Sequence, residues 1–357
     1  MRTSTPPPPA YLRSLIPYSS ARSILKGEGW TFLDASESPV LCPSAGANAM
    51  NRYPDPTCDT LRDAIADRFA LMAANICVTS GIDELIELAI RAFSAPGSIV
   101  ASFDPTYALY RVSAQASGRT YTSIPLTNSF SLPADAAAAA SPADVVFLCS
   151  PNNPTGTVLE LPAVEEIIAQ AKGIVVIDEA YGEFADRGGY TSGLSFVQRG
   201  AKNVIVARTF SKAYGGAGLR LGYGIACPEI IDQLLKVKPP YNVSSLSQTL
   251  GLALWREEEW MRANVETLCR ECERVSSACR ALGCDVTESV THFFLLTPPA
   301  DMDAGTLYTR LRDEYCIVVR PIGEINGRAS LRVSMGTAEQ NDLFLSALST
   351  LMPFPSS

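Results

Sequence analysis

The first two thirds of the chain alternate amphipathic segments with short apolar runs. Apolar positions at a helical period predict helices at residues 61–72, 82–93, 106–117 and 161–172. Runs rich in Val and Ile predict strands at residues 98–102, 145–149, 174–177, 203–207 and 221–226. Strands that are apolar throughout must be covered on both faces, so the pattern indicates an α/β protein with a three-layer, mostly parallel sheet.

The pattern changes after Pro239 and Pro240. A long charged helix is predicted at residues 257–282, followed by two apolar strands and a helical C-terminus. The change indicates a second, smaller α+β domain. The predicted division is a large domain at residues 41–240, an interdomain segment at 241–254, and a small domain combining residues 11–40 with 255–357.

Two low-complexity runs have simple interpretations. Four consecutive prolines predict a flexible tail at residues 1–10 and are incompatible with the apolar segment of a signal peptide. Five alanines between Pro133 and Pro142 predict a short surface helix.

Composition narrows the functional class. With 357 residues, 47% hydrophobic and 18% charged, the chain is expected to fold into two domains with a large core. A net charge of -8 without a basic stripe argues against nucleic-acid binding and favours small metabolites as partners. No apolar run approaches the roughly 20 residues that span a bilayer, so a cytoplasmic location is predicted.

Ten cysteines fit a reducing compartment. A zinc site is one interpretation of Cys269, Cys272, Cys279 and Cys284, which include a C-x-x-C pair. Their sequence is helical, however, and no histidine lies nearby to complete a common ligand set, so no metal is expected.

Lys212 stands in an unusual place for a lysine. It follows the predicted strand at 203–207 and is surrounded by small residues and glycines. Desolvation at such a position lowers the pKa of an ammonium group and exposes a nucleophilic amine, which imine chemistry requires. A phosphate-binding loop or a plain turn would also explain the motif taken alone.

The neighbouring strand ends carry further polar groups. Residues 150–156 (SPNNPTG) form a predicted turn that presents the amide of Asn153. Asp178 ends a buried strand, where a carboxylate needs a positive partner such as a protonated pyridine nitrogen. Tyr181 offers a hydrogen bond to a phenolic oxygen. A divalent-metal site at Asp178 and Glu179 is the rival interpretation, although no further carboxylates gather at these strand ends.

A phosphate site is also indicated. Ser211 and Arg220 are both suited to phosphate binding. The backbone amides around Gly81, Ile82 and Asp83 open a predicted helix, and free amides at a helix N-terminus attract anions. The Asp83 side chain is equally explained as a helix N-terminal charge. An amine, a ring partner and a phosphate cradle together match pyridoxal 5'-phosphate.

These motifs resemble a known family. SPNNPTG at residues 150–156, DEAY at 178–181 and SKAYGGAGLRLGY at 211–223 are similar to those of fold-type I pyridoxal-phosphate enzymes, the class I/II aminotransferases. Within that family, with its aspartate-aminotransferase-like fold, the chain most resembles the histidinol-phosphate aminotransferases over residues 17–348.

The resemblance implies roles for the cofactor residues. Lys212 would form an imine with the cofactor and move a proton during the reaction, Asp178 would bind the ring nitrogen, and Asn153 and Tyr181 would bind the ring oxygen. Tyr107 would stack on the ring. The phosphate would be held by Ser211, Arg220 and the turn of Gly81, Ile82 and Asp83.

Tyr53 matches a tyrosine that reaches the cofactor phosphate of the neighbouring subunit, which implies a homodimer. The residues implied in substrate binding are Tyr18, Glu37, His292, Arg320 and Arg332, with the arginines and the tyrosine placed to bind an anionic end.

Two departures from the family pattern concern the substrate. The usual Asn-Glu-Asn-Pro is Ser-Glu-Ser-Pro at residues 36–39, and the usual Ala-Asn-Phe is Thr291, His292 and Phe293. His292, the only histidine, is interpreted either as structural or as part of an altered substrate pocket.

The activity implied by the resemblance is transamination of histidinol phosphate, or a similar amino substrate with an anionic end, with 2-oxoglutarate. The alternative is elimination, cyclisation or decarboxylation of an amino acid.

Overall fold

The structure is a computed structural model that describes residues 4–7, 9, 51–186 and 190–352. Half of the predicted tail and all of the predicted small-domain segment 11–40 lie outside these residues.

The large sheet contains seven strands in the order β1-β7-β6-β5-β4-β2-β3. Its strands are β1 (Ile76–Thr79), β2 (Ile99–Asp104), β3 (Thr120–Pro125), β4 (Val145–Cys149), β5 (Ile174–Asp178), β6 (Val204–Thr209) and β7 (Gly222–Ala226). Strand β7 runs antiparallel to both of its neighbours, β1 and β6, and the other described strand pairs of this sheet are parallel.

Helices cover both faces of this sheet. They are α1 (Asp59–Arg68), α2 (Gly81–Phe93), α3 (Leu109–Ala116), α4 (Ala136–Ala140), α5 (Leu161–Gln170), α6 (Gly182–Ala185), α7 (Leu194–Gln198), α8 (Pro228–Val237) and α9 (Ser245–Arg256). One core contains side chains of α2, α3 and α8, and the other contains those of α1, α4, α5 and α7. The predicted three-layer, mostly parallel α/β architecture is therefore confirmed.

The register of the central strands aligns their carboxyl ends. Asp178, the last residue of β5, is level with Cys149 on one side and Ala207 on the other. The side chains that follow β4, β5 and β6 consequently meet at one edge of the sheet.

The remaining elements form a smaller α+β unit. Its antiparallel sheet has the order β10-β11-β9-β8, with β8 (Asp285–Val286), β9 (Phe293–Thr297), β10 (Arg320–Ile325) and β11 (Arg328–Ser334). Its helices are α10 (Glu258–Ala281), α11 (Ala304–Tyr315) and α12 (Ala338–Leu351). A separate hydrophobic core joins this sheet to its helices.

Several boundaries differ from the sequence prediction. Helix α1 ends at Arg68, because Ala70 has a positive φ of 52° and the amide of Leu71 returns to the carbonyl of Ala66. The predicted short helix at Ala136–Ala140 lies at the surface with one face in the core, since Ala138 and Ala139 are exposed while Ala136, Ala137 and Ala140 are buried. The smaller sheet has four strands where two were predicted.

Helix α9 occupies the segment predicted to connect the domains, and it packs against α1. Within the described part of the chain, no helix combines the length and apolar character needed to cross a bilayer.

Candidate active site

The carboxyl edge of the large sheet holds a cavity of about 190 Å³. It is lined by Ile82, Asp83, Tyr107, Cys149, Asn153, Asp178, Ala180, Tyr181, Thr209, Ser211, Lys212 and Arg220. The cavity thus brings together the residues predicted to bind a cofactor, except Gly81 and Tyr53. They come from five separate parts of the chain, which the sheet topology assembles.

Asp178 is a buried carboxylate with two protein donors. The hydroxyl of Tyr110 donates to Oδ2 at 2.7 Å, and the amide of Ala180 donates to Oδ1 at 3.0 Å. Burial raises the pKa of this carboxyl to about 6 despite both hydrogen bonds. Since a carboxylate has about four acceptor positions, capacity remains for a donor in the cavity.

Tyr110 was not identified from the sequence. Its ring is fully buried and stacks on Phe147, with centroids 4.5 Å apart and planes 4° from parallel. The available signal was the spacing of two tyrosines, Tyr107 and Tyr110, on either side of the start of α3. A buried tyrosine is ordinarily interpreted as a packing residue, so the hydrogen bond from its hydroxyl to Asp178 is not predicted.

Lys212 lies between positive and negative groups. Burial lowers the pKa of its amine, Arg332 lowers it further, and Asp178 opposes the shift. The amine lies 5.5 Å from the centre of the Tyr181 ring. A larger fraction of neutral, nucleophilic amine is therefore present than for a solvated lysine.

The N-terminus of α2 forms one end of the cavity. Ser80 makes no side-chain capping bond there, so the first amides of the helix are left for an anion. Gly222 allows the close approach, because a Cβ at this position would lie 2.8 Å from the amide nitrogen of Ile82. Gly81, with a φ of 79°, would bring a Cβ within 2.9 Å of the Arg220 guanidinium.

Asp83 has a more specific role than a helix N-terminal charge. Its carboxylate accepts a hydrogen bond from Arg220 at 3.0 Å and one from the Tyr107 hydroxyl at 3.1 Å. Burial, followed by the charge of Asp83, raises the pKa of Tyr107 to about 12. The carboxylate thus fixes both an aromatic ring and a guanidinium at the cavity wall.

A larger cleft of about 970 Å³ opens beside this cavity. Lys212, Tyr181 and Asn153 line both spaces, and Arg320 and Arg332 line the cleft from the smaller unit. The two arginines are direct cross-strand partners on β10 and β11.

Arg332 also connects the two units. Its Nη1 donates to Oδ1 of Asn153 at 2.5 Å, while its buried Nε has no hydrogen-bond partner among the described residues. A donor is therefore left over at the boundary between the cavity and the cleft.

His292 lies behind the site and lines neither space. Its ring stacks on Phe184 at 4.5 Å and lies 5.8 Å from the Tyr181 ring. Burial, Lys212 and Arg332 lower the pKa of His292 to about 4, so the imidazole is neutral near pH 7. Its Nδ1 has no partner within the described residues, and a role in substrate binding stays a prediction.

The remaining predicted site residues lie elsewhere. Tyr53 is 52% exposed and stacks on Tyr241 with ring centres 4.4 Å apart. Tyr18 and Glu37 lie outside the described residues. In the described ranges, no group of three or more His, Cys, Asp or Glu side chains is arranged to hold a metal ion.

Comparison with known proteins identifies the family. The model for "Aminotransferase class I and II" matches residues 41–348. The chain belongs to this family. A curated histidinol-phosphate aminotransferase from Thermobifida fusca is 37% identical over 355 residues, covering 95% of this chain and 94% of the relative.

Solved structures agree with this membership. A histidinol-phosphate aminotransferase from Sinorhizobium meliloti, in complex with pyridoxal 5'-phosphate, superposes with a TM-score of 0.79 at 25% identity, covering 87% of this chain and 85% of that one. An L-threonine-O-3-phosphate decarboxylase from Porphyromonas gingivalis gives a TM-score of 0.74 at 25% identity, covering 86% and 92%. This aminotransferase-family chain therefore shares its fold with enzymes of two reaction types.

The raised pKa of Asp178 generates a prediction about stability. The native carboxyl binds its proton more tightly than the unfolded one, so the ionised form destabilises the ligand-free protein as the pH rises from about 4 to 6. Asp178→Asn is expected to raise the free energy of unfolding by about 3 kcal/mol at pH 8, with the gain vanishing towards pH 4. Denaturant unfolding across this range measures it; a pH-independent loss of stability would contradict it.

Proposed function

We propose that this aminotransferase uses pyridoxal 5'-phosphate to transfer an amino group between histidinol phosphate, or a similar amino substrate with an anionic end, and 2-oxoglutarate. The observation that carries the proposal is the pair of arginines at the cleft beside the lysine-containing cavity. The family and the two histidinol-phosphate aminotransferases named above support the same reaction class.

The cavity residues fit the cofactor. The spare acceptor capacity of Asp178 suits a protonated ring nitrogen, and the uncapped amides of α2 with Arg220 and Ser211 suit a phosphate. Asn153 and Tyr181 also line the cavity, and both can donate a hydrogen bond to the ring oxygen. Tyr107, fixed through its hydroxyl, offers a ring for stacking.

Each residue then has a physical task. Bound pyridoxal phosphate supplies a carbonyl group that reacts with primary amines and a protonated ring that withdraws electrons from the substrate. Lys212 supplies a neutral amine, whose Nζ would take the proton from the substrate carbon that bears the amino group and deliver it to the carbon that carried the cofactor's carbonyl oxygen. Asp178 holds a proton at the ring nitrogen. Tyr181 donates from its hydroxyl, which burial keeps protonated by raising its pKa.

The arginine pair specifies an anion. Arg320 and Arg332 face each other directly on antiparallel strands, where like charges destabilise the sheet. An anion bound between them removes that repulsion and gains charge-assisted hydrogen bonds from both guanidinium groups. A phosphate ester has the charge and the number of acceptors to satisfy both, which favours histidinol phosphate as the amino substrate.

The reaction type is tested by product analysis. The enzyme loaded with pyridoxal phosphate, histidinol phosphate and 2-oxoglutarate is expected to form glutamate and the corresponding keto product in equal amounts, and Lys212→Ala is expected to form neither. Release of ammonia or carbon dioxide without glutamate would instead identify an elimination or decarboxylation.

Anion recognition is tested in the same assay. Arg320→Gln is expected to lower kcat/KM for histidinol phosphate by about tenfold to a hundredfold, which corresponds to losing a charge-assisted hydrogen bond. Its effect on histidinol, which lacks the phosphate, is expected to be small. Arg310→Gln is the matched control, because Arg310 pairs with Glu314 on an exposed face of α11. Equal losses with both substrates would show that Arg320 does not bind the phosphate.

A homodimer is part of the proposal. Tyr53 and Tyr241 form an exposed aromatic stack, and Leu246 and Leu250 on α9 are 42% and 49% exposed. A second copy covering these apolar groups would bring Tyr53 into the dimer interface, from which the family resemblance implies that it reaches the phosphate end of the neighbour's cavity.

Mixed dimers test the sharing of sites. Lys212→Ala and Tyr53→Ala chains, coexpressed, form hybrids with one complete site. At limiting cofactor the mixture is expected to regain about a quarter of wild-type activity, the share of complete sites among random dimers. Activity no greater than that of the separate variants would exclude a site shared between subunits.

A further inference from the structure

A tyrosine outside the cavity holds the cavity's central carboxylate. The Tyr110 hydroxyl donates to Oδ2 of Asp178 at 2.7 Å, on the oxygen opposite the one that accepts from the Ala180 amide. Asp178 lines the cavity and Tyr110 does not. Tyr110 therefore acts on a bound ring through the residues that line the cavity, and its hydroxyl is bonded to Asp178.

Packing fixes the position of this hydroxyl. The Tyr110 ring stacks on Phe147 at 4.5 Å and meets the edge of Tyr107 at 5.7 Å with the planes at 90°. The contact with Phe147 lies within the core, where side chains have little freedom to change rotamer, and Tyr107 packs against that core from the cavity wall. The fold therefore holds the Tyr110 hydroxyl in position to donate to Asp178.

The Tyr110 hydroxyl stabilises the ionised form of Asp178, which burial disfavours. The titratable groups around Asp178 belong to several elements: Tyr110 on α3 and Tyr107 before it, Cys149 on β4, Asp83 on α2, Glu179 and Tyr181 in the segment after β5, and Lys212 after β6. Burial is the largest effect and raises the pKa of Asp178, and the charges of Asp83 and Glu179 add to it. The bonds from Tyr110 and the Ala180 amide lower the pKa and favour the ionised form.

We propose that Tyr110 is a positioning residue that keeps the Asp178 carboxylate ionised and directed at the ring nitrogen of the cofactor. This inference rests on the proposed function, since it takes a pyridine ring as the group that Asp178 faces. Without the hydroxyl, the carboxyl becomes more basic and draws the shared proton from the ring nitrogen to its own oxygen. The ring then withdraws electrons less strongly.

Tyr110→Phe tests the inference, because it removes one oxygen and keeps the stacked ring. The variant is loaded with pyridoxal phosphate labelled with ¹⁵N in the ring, and the nitrogen chemical shift is followed with pH. The shift is expected to move towards that of unprotonated pyridine. The Kd of the apoenzyme for pyridoxal phosphate, from tryptophan fluorescence, is expected to rise about tenfold, as for a lost hydrogen bond to a charged group.

Tyr214→Phe is the matched control. Its hydroxyl is also buried, but it accepts from Arg68 outside the cavity, so the nitrogen signal is expected to stay at the wild-type position. A wild-type nitrogen signal and Kd in Tyr110→Phe would overturn the inference. Failure of the wild-type protein itself to bind pyridoxal phosphate would contradict the proposed function instead.

A second variant covers the case in which Tyr110→Phe does not fold. Phe147→Leu keeps the Tyr110 hydroxyl and loosens its ring. It is expected to move the nitrogen signal in the same direction by a smaller amount. An unmoved signal would count against the inference.

Discussion

Helices cover both faces of the central sheet, and this constraint determines where the chemistry can lie. Strands β4, β5 and β6 are buried along their whole length, so they accommodate uncompensated polar groups only at their ends. Their parallel registers bring those ends to one edge. The amide of Asn153, the carboxylate of Asp178 and the amine of Lys212 meet there because each follows or ends a different strand.

The same burial makes these groups reactive. Removing water lowers the pKa of Lys212 and raises that of Asp178, which moves both towards the values that proton transfer near neutral pH requires. The charged carboxylate costs stability in the ligand-free protein, and hydrogen bonds from Tyr110 and Ala180 offset part of that cost. A positively charged ring in the cavity would supply the remaining partner. Stability and function are therefore opposed at Asp178, as expected for a preorganised site.

Local sequence signals predicted much of this arrangement. The strands at β4 and β5 and the helix at α2 were found within a residue or so, because apolar runs flanked by turns leave few alternatives. Strand β3 was missed because one of its faces is exposed. Tyr110 was missed because a buried tyrosine is ordinarily interpreted as a packing residue. Its hydrogen bond to Asp178 also joins residues that are 68 positions apart in sequence, so no local pattern indicates it. The sequence likewise did not predict that Arg320 and Arg332 lie opposite each other, because this depends on the register of β10 and β11.

The central claim is that this strand edge binds pyridoxal phosphate through Lys212. Borohydride reduction of the loaded enzyme, followed by peptide mass spectrometry, locates the covalent attachment directly. One pyridoxyl group per chain is expected, on the peptide containing Lys212, and none is expected in Lys212→Ala. Attachment at another lysine, or no attachment after reduction, would contradict it.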